Sequence, residues 1–195
     1  GDEATEVVLD VIEKVLQAHP RADHRHTLQH CQLADKAQLE RAAGLGMCIN
    51  FFSNHLYYWG DAHATQTVGP EWAARMNPAE TARQLGITFS LHSDAPITPL
   101  NPLFTAWCAA HRASASGKIL GEAERLSVAD ALNAVTLGAA KTLKLEHLIG
   151  SIEPGKFADF AVLEEDPSAV AAERLKDIPV WGTVLAGREF PAPQQ

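Results

Sequence analysis

Several residues capable of metal or acid–base chemistry stand just where apolar runs of this chain give way to turns. His30 closes Thr27-Leu28-Gln29-His30. His55 follows the run Met47-Cys48-Ile49-Asn50-Phe51-Phe52 by three residues. His92 and Asp94 follow Ile87-Thr88-Phe89-Ser90-Leu91. Imidazole nitrogens and carboxylate oxygens are the donors that bind zinc and similar divalent ions, and an ion so held activates water near neutral pH. Each position also has a plainer reading. A lone histidine at a strand end is more often a satisfied polar residue than a ligand. Asp94, in Asp94-Ala95-Pro96, suits a turn as well as a metal. His24, His26 and His30 share one face of an extended segment, but His24 sits among charged residues before any strand begins, which argues against a separate site. His111 and His147 fall in stretches that read as helical and suit surface or packing roles. The aromatic run Leu56-Tyr57-Tyr58-Trp59 fits a substrate wall and plain packing equally.

Those positions need elements to hold them. Residues 4–18 read as a helix whose Val8, Val11, Ile12 and Val15 recur at helical spacing, ended by His19-Pro20. A short strand is expected over 26–31, a helix from Asp35 to Ala43 stopped by Gly44, and a buried strand over 47–52. Residues 53–76 read as a long irregular segment, and loops of that length usually serve function. Asn77-Pro78-Ala79-Glu80 opens a helix with Asn77 as its cap, Gly86 ends it, and a strand follows over 87–91. Ser127 opens a further helix running to about Leu143. This alternation implies a parallel sheet with right-handed crossovers, in which ligands gather at the carboxyl ends of the strands. After Gly150 the pattern changes. A turn at Glu153-Pro154-Gly155-Lys156, a strand over Ala158–Leu163 and a strand pair over Val180–Phe190 turning at Gly187 predict a small β unit.

Composition removes several functions. The 195 residues are 46% hydrophobic and 21% charged, which is globular rather than disordered. A net charge of -8 with no dense Lys/Arg cluster argues against nucleic acid and anionic lipid as partners. No apolar run approaches bilayer thickness, and the acidic N-terminus carries no basic, signal-like lead-in. Three scattered cysteines offer no disulfide framework and fit a reducing, cytoplasmic setting. The expected partner is a small-molecule substrate.

Taken together, several segments resemble the amidohydrolase superfamily, in particular its YtcJ-like branch, amidohydrolase family 3. Arg25-His26-Thr27-Leu28-Gln29-His30-Cys31 resembles the signature of that branch's sixth strand, whose last histidine binds metal. His92-Ser93-Asp94-Ala95-Pro96 resembles its eighth-strand signature. Gly150-Ser151-Ile152-Glu153-Pro154-Gly155-Lys156 resembles the entry to the small β-sandwich after the barrel, and Gly1-Asp2-Glu3-Ala4 the segment after the fifth strand. Two departures stand out: Gln29 replaces the usual Glu, and His92 replaces the usual Gly.

The resemblance implies an α/β fold comprising the C-terminal half of a TIM-type (β/α)8 barrel, residues 1–148, and part of a small β-sandwich, residues 149–195. A whole barrel takes about 250 residues, more than this span holds. It implies a divalent metal, zinc first, as one or two ions in the intact enzyme. His30 and Asp94 are the implied ligands, Asp94 is also the general base, and His55 faces the substrate. His92, a bulky ionisable group beside Asp94, is expected either to contact substrate or to bond a neighbour, and Tyr58 is the candidate substrate contact within the aromatic run. The implied reaction is hydrolysis of an amide or other C–N bond by metal-activated water. The alternative from a different class is a non-catalytic α/β ligand-binding module. Two ligands cannot close a zinc site, so this chain alone is expected to be inactive. Its open barrel edges are expected to drive homo-oligomer formation.

Overall fold

The computed structural model describes residues 1–193. Helix α1 (Asp2–Ala18) leads into strand β1 (Thr27–His30), helix α2 (Lys36–Gly44) and strand β2 (Cys48–Phe51). Helices α3 (His55–Ala62), α4 (Pro70–Arg75) and α5 (Ala79–Gln84) precede strand β3 (Phe89–Leu91). Helices α6 (Pro102–His111), α7 (Val128–Val135) and α8 (Leu137–Thr142) follow it. The chain ends in strands β4 (Phe160–Leu163), β5 (Val180–Leu185) and β6 (Arg188–Pro191). No described helix is long and apolar enough to cross a membrane.

Strands β1, β2 and β3 form a parallel sheet in that order, with Gln29, Asn50 and Ser90 on one rung. These three polar side chains bond to one another. Asn50 donates to Gln29 at 2.9 Å, and Ser90 donates to Asn50 at 2.9 Å. Gln29, a departure from the family pattern, is therefore the acceptor that ends this ladder. On the other face, Leu28, Ile49, Phe51, Phe89 and Leu91 join Leu9, Leu39, Ala82, Ala106 and Ala131 in one core. Period-two alternation assigns the two faces, so a one-residue register slip would exchange them. Helix α8 lies so close to β3 that a Cβ on Gly138 would stand 2.5 Å from the Phe89 carbonyl oxygen. Only glycine allows that approach.

The expected elements around the sheet form, with differences. Asp35 caps α2 in a full capping box, accepting from the Gln38 N–H at 2.8 Å while its own N–H donates to the Gln38 side chain. The helix runs through Gly44, and Gly46, at φ +69°, makes the left-handed turn instead. Gly86 (φ +70°) does end α5 as expected. In α1 the core receives Leu9 and Thr5 with part of Ile12, while Val8, Val11 and Val15 stay exposed, Val11 at 53%. The apolar stripe read from the sequence is thus not the one buried against this core. Residues 53–76, expected to be irregular, are almost wholly helical: α3, a π-helical turn over His63–Thr67, and α4. Asn77 does not cap α5. It is fully buried at φ +49°, and its amide donates to the Phe52 carbonyl at 3.1 Å. The helix expected over 127–143 is two helices broken at Thr136. His147 lies in a turn, not a helix.

The β4–β5–β6 sheet is antiparallel, with the β5–β6 turn at Ala186-Gly187. The connection within this sheet is stitched to α6. A 3₁₀ helix, Ala172–Asp177, packs on α6, and Leu175 and Ile178 enter the main core. The Trp107 indole N–H donates to the Glu173 carbonyl at 3.0 Å.

Helix α6 ends on Arg112, which is 1% exposed at φ +58°. Among the described residues, no carboxylate hydrogen-bonds to its guanidinium. It donates to the carbonyls of Leu120 (2.6 Å), Met76 (2.7 Å) and Asn77 (3.1 Å), and more distantly to Ala74 (3.5 Å). Burial lowers its pKa to about 10, so it remains charged at neutral pH. This side chain fixes the 74–77 and 120 backbone segments around α6. Replacing it with methionine strands buried carbonyls, and the expected cost is roughly 3 kcal/mol or more of unfolding free energy. Urea denaturation of Arg112→Met measures it, and a loss under about 1 kcal/mol would contradict the role.

Candidate metal centre

The last paired rung of the parallel sheet sets His30 opposite Phe51, and Phe51 opposite Leu91. The His92 N–H extends it by donating to the Phe51 carbonyl at 2.9 Å. Beyond this rung each strand leaves the sheet. His30 and Cys31 turn at φ +62° and +47°, and Asp94 at φ +53°. His and Asp are among the side chains that tolerate this left-handed region. From β2 the chain passes through Phe52, Ser53 and Asn54 to His55, the first residue of α3. Three adjacent strands therefore deliver His30, His55 and His92-Ser93-Asp94 to one edge.

The rings converge there. His30 meets His92 edge-on at 5.0 Å between centroids and lies 6.0 Å from His55. Phe52 stands among all three, 4.1 Å from His55, 5.2 Å from His92 and 5.5 Å from His30. Trp59 closes the far side of His55 at 5.2 Å. Asp94 stands close enough to His55 and His92 to favour their charged forms.

Burial outweighs that attraction. Desolvation, then His30 and His63, pull His55 down to about 4. Burial, then His30, lower His92 as well. Both rings are neutral at pH 7, the form in which imidazole ligates metal or donates a hydrogen bond. The Asp94 N–H donates to His92 Nδ1 at 3.1 Å, so in neutral His92 the proton sits on Nε2. That Nε2 is buried with no hydrogen-bond partner, as is Nδ1 of His55. Unpaired buried polar atoms are costly and mark places where a ligand belongs. A cavity of about 320 Å³ lined by Asp94, Leu100, Pro102, Thr105 and Val135 adjoins His92.

A divalent cation fits this donor set in part. The imidazole nitrogens of His30 and His55 and the Asp94 carboxylate are suitable donor types. Among the described residues, no three His, Cys, Asp or Glu side chains form a ready-made metal cluster. The protonated Nε2 of His92 is a donor rather than a ligand, so in this tautomer His92 adds no metal-binding nitrogen.

Tyr58 stands apart from the imidazoles. It is 43% exposed and packs on Tyr57 at 5.2 Å and Phe104 at 6.0 Å. His24 and His26 stack on each other at 4.7 Å, and His24 Nε2 bonds the Leu45 carbonyl. His111 packs on Trp107. His63 was not singled out by the sequence, yet it lies 6.0 Å from His55, held by Gln32 at 3.2 Å and Thr67 at 2.8 Å. Its only sequence signal is the spacing His55-Trp59-His63, one residue every helical turn.

This chain is similar to known amidohydrolases and metal-dependent hydrolases. The amidohydrolase family model Amidohydro_3 matches residues 1–190. The putative amidohydrolase YtcJ of Bacillus subtilis is 32% identical over 192 residues, covering 96% of this chain and 35% of that protein. The N-substituted formamide deformylase of Arthrobacter pascens is 28% identical over 187 residues, 96% of this chain and 34% of that protein. An uncharacterized metal-dependent hydrolase of Pyrococcus horikoshii superposes with a TM-score of 0.73 at 25% identity, covering 88% of this chain and 34% of that one. The chain spans about one third of the length of the curated relatives it matches.

The burial of His55 makes a measurable prediction for the metal-free protein. Its folded pKa lies below the unfolded value of 6.5, so the unfolded state binds the proton more readily. Stability is therefore expected to fall as pH drops from about 6.5 toward about 4, and to level off below that. NMR titration of the His55 ring should show a midpoint near 4. A midpoint at the ordinary histidine value would overturn the assignment of a desolvated ring.

Proposed function

Because this chain belongs to the amidohydrolase family, we propose that it is the C-terminal portion of a metal-dependent hydrolase that cleaves amide or related C–N bonds. The observation that carries the reading is the convergence of His30, His55, His92 and Asp94 beyond one rung of parallel strands. We read those strands as the sixth to eighth of a (β/α)8 barrel over residues 1–148. Residues 149–195, the last two of which lie outside the described residues, then correspond to part of the small β-sandwich. The exposed Val7, Val8, Val11 and Val15 on α1 support further protein covering that face.

His30 and Asp94 would hold the metal, zinc suiting these donors best, as one or two ions in the intact protein. Bound there, the ion would supply a nucleophilic water near neutral pH and polarise the scissile carbonyl. Asp94 takes the proton from the attacking water and returns it to the leaving nitrogen. The Nε2–H of His92 is an unspent donor aimed at a substrate oxygen, and the His55 ring and Tyr58 line the substrate's path. Phe52 keeps bulk water from the imidazoles. With His30 and Asp94 alone the ligand set is incomplete, so this chain by itself is read as inactive. Its two free sheet edges favour a homo-oligomer, and we place the protein in the cytoplasm.

Purified full-length protein tests the reading against N-substituted formamides, acyl amides and cyclic amides. Turnover should vanish with chelator and return with zinc. Asp94→Asn should lower kcat by about 10²- to 10⁴-fold, the usual contribution of a positioned general base. Unchanged turnover in that variant would remove Asp94 from the chemistry.

A further inference from the structure

Asp94 occupies an uncommon backbone conformation, φ +53°, and the structure shows what holds it there. On one side its N–H donates to His92 Nδ1 at 3.1 Å. On the other, the carbonyl of Ser93, the residue just before it, accepts from the Thr98 hydroxyl. That hydroxyl in turn accepts from the Asn54 amide at 2.8 Å. A turn bond from the Ile97 N–H to the Asp94 carbonyl, 2.8 Å, closes the loop. Asn54 is fully buried, Thr98 is 1% exposed and Ser93 is 6% exposed, so no water competes for these bonds.

The relay has a direction. A hydroxyl carries one proton. If the Asn54 amide were turned to present its oxygen, Thr98 would face two acceptors with that single proton. The observed orientation lets Thr98 donate to Ser93 and accept from Asn54, and it leaves Asn54 Oδ1 without a partner. The molecule accepts an unsatisfied buried oxygen in order to keep the relay intact. Asn54 immediately precedes His55, three residues past the end of β2, and Ser93 immediately precedes Asp94, two residues past the end of β3. The relay therefore links two of the three strand ends that carry the site, one step behind His55 and one step behind Asp94.

We propose that Thr98 and Asn54 are positioning residues that set where the Asp94 carboxylate stands relative to His55, on the reading of the site given above. Neither touches the reacting atoms. Their effect passes through the Ser93 carbonyl to the backbone of Asp94. Displacing a reacting group by about 1 Å can cost about 100-fold in rate, so a loosened Asp94 should show in the chemical step rather than in substrate binding.

The test compares Thr98→Val, which keeps the shape and removes the hydroxyl, with Thr98→Ser, which keeps the hydroxyl, in full-length zinc-loaded protein. With a substituted formamide as probe, Thr98→Val should lose about 10- to 100-fold in kcat with KM within about threefold, and Thr98→Ser should stay within about threefold of the parent. Equal kcat in the two variants would overturn the proposal. A crystal structure of Thr98→Val supplies a readout independent of turnover. Asp94 is expected to leave the left-handed region, and an Asp94 still at φ near +53° would overturn the proposal even where the parent shows no hydrolysis. Absent turnover in the parent would sink the hydrolase reading alone. Should Thr98→Val fail to fold, Asn54→Ala keeps the hydroxyl but removes its orienting donor. It is judged by the same kcat loss and the same Asp94 conformation.

Discussion

One rung of parallel pairing, His30 against Phe51 against Leu91, carries the whole arrangement. It is the last point at which the three strands are held together, and His30, His55, His92 and Asp94 lie on it or at most four residues past it. The polar rung one residue earlier, Gln29–Asn50–Ser90, and the apolar residues on the opposite face both fix that register. A one-residue slip of any strand would put polar groups into the core and send its histidine to the wrong side. The cost of burying those polar groups is what makes the site's geometry a property of the fold rather than of its loops.

Beyond the rung, chemistry is controlled by exclusion of water. Phe52 and Trp59 surround imidazoles that would otherwise be solvated, and desolvation then keeps His55 and His92 neutral despite the nearby Asp94. The anchoring of Phe52 reaches far into the molecule. Asn77 donates to its carbonyl, and Arg112 at the end of α6 donates to the carbonyl of Asn77. A buried cation with no carboxylate hydrogen-bonded to it among the described residues thus braces the backbone behind the aromatic wedge. The same helix, through Trp107, ties in the C-terminal β segment.

Much of this was legible in the sequence, and the misses have physical causes. Strand ends could be read because apolar runs stop at polar or turn residues, and that placed His30, His55, His92 and Asp94 together. Only the stretch around His111 read as helical, and the extent of α6 was hidden because Leu103, Thr105, Ala106, Trp107, Cys108, Ala109 and Ala110 are all buried, leaving no amphipathic period. Its start was written in Asn101-Pro102, and the Asn101 side chain does cap it. Helix α3 was hidden by Gly60, which reads as a breaker but sits in the helix beside the Leu120 side chain, whose Cδ1 lies 2.4 Å from where a Cβ would stand. Asn77 has the sequence of a cap, yet its left-handed backbone and buried amide serve Phe52. His63 depends on a π-helical turn, which has no reliable sequence pattern. The Thr98 relay rests on bonds between distant segments, which spacing along the chain does not reveal.

The central claim is that His30 and Asp94 of this chain ligate a catalytic divalent ion. Anomalous diffraction from zinc-loaded crystals of the full-length protein tests it most directly. The account predicts an anomalous peak about 2.0–2.2 Å from both a ring nitrogen of His30 and a carboxylate oxygen of Asp94. A peak bound elsewhere with neither residue in contact, or no peak at this edge of the sheet, would contradict it.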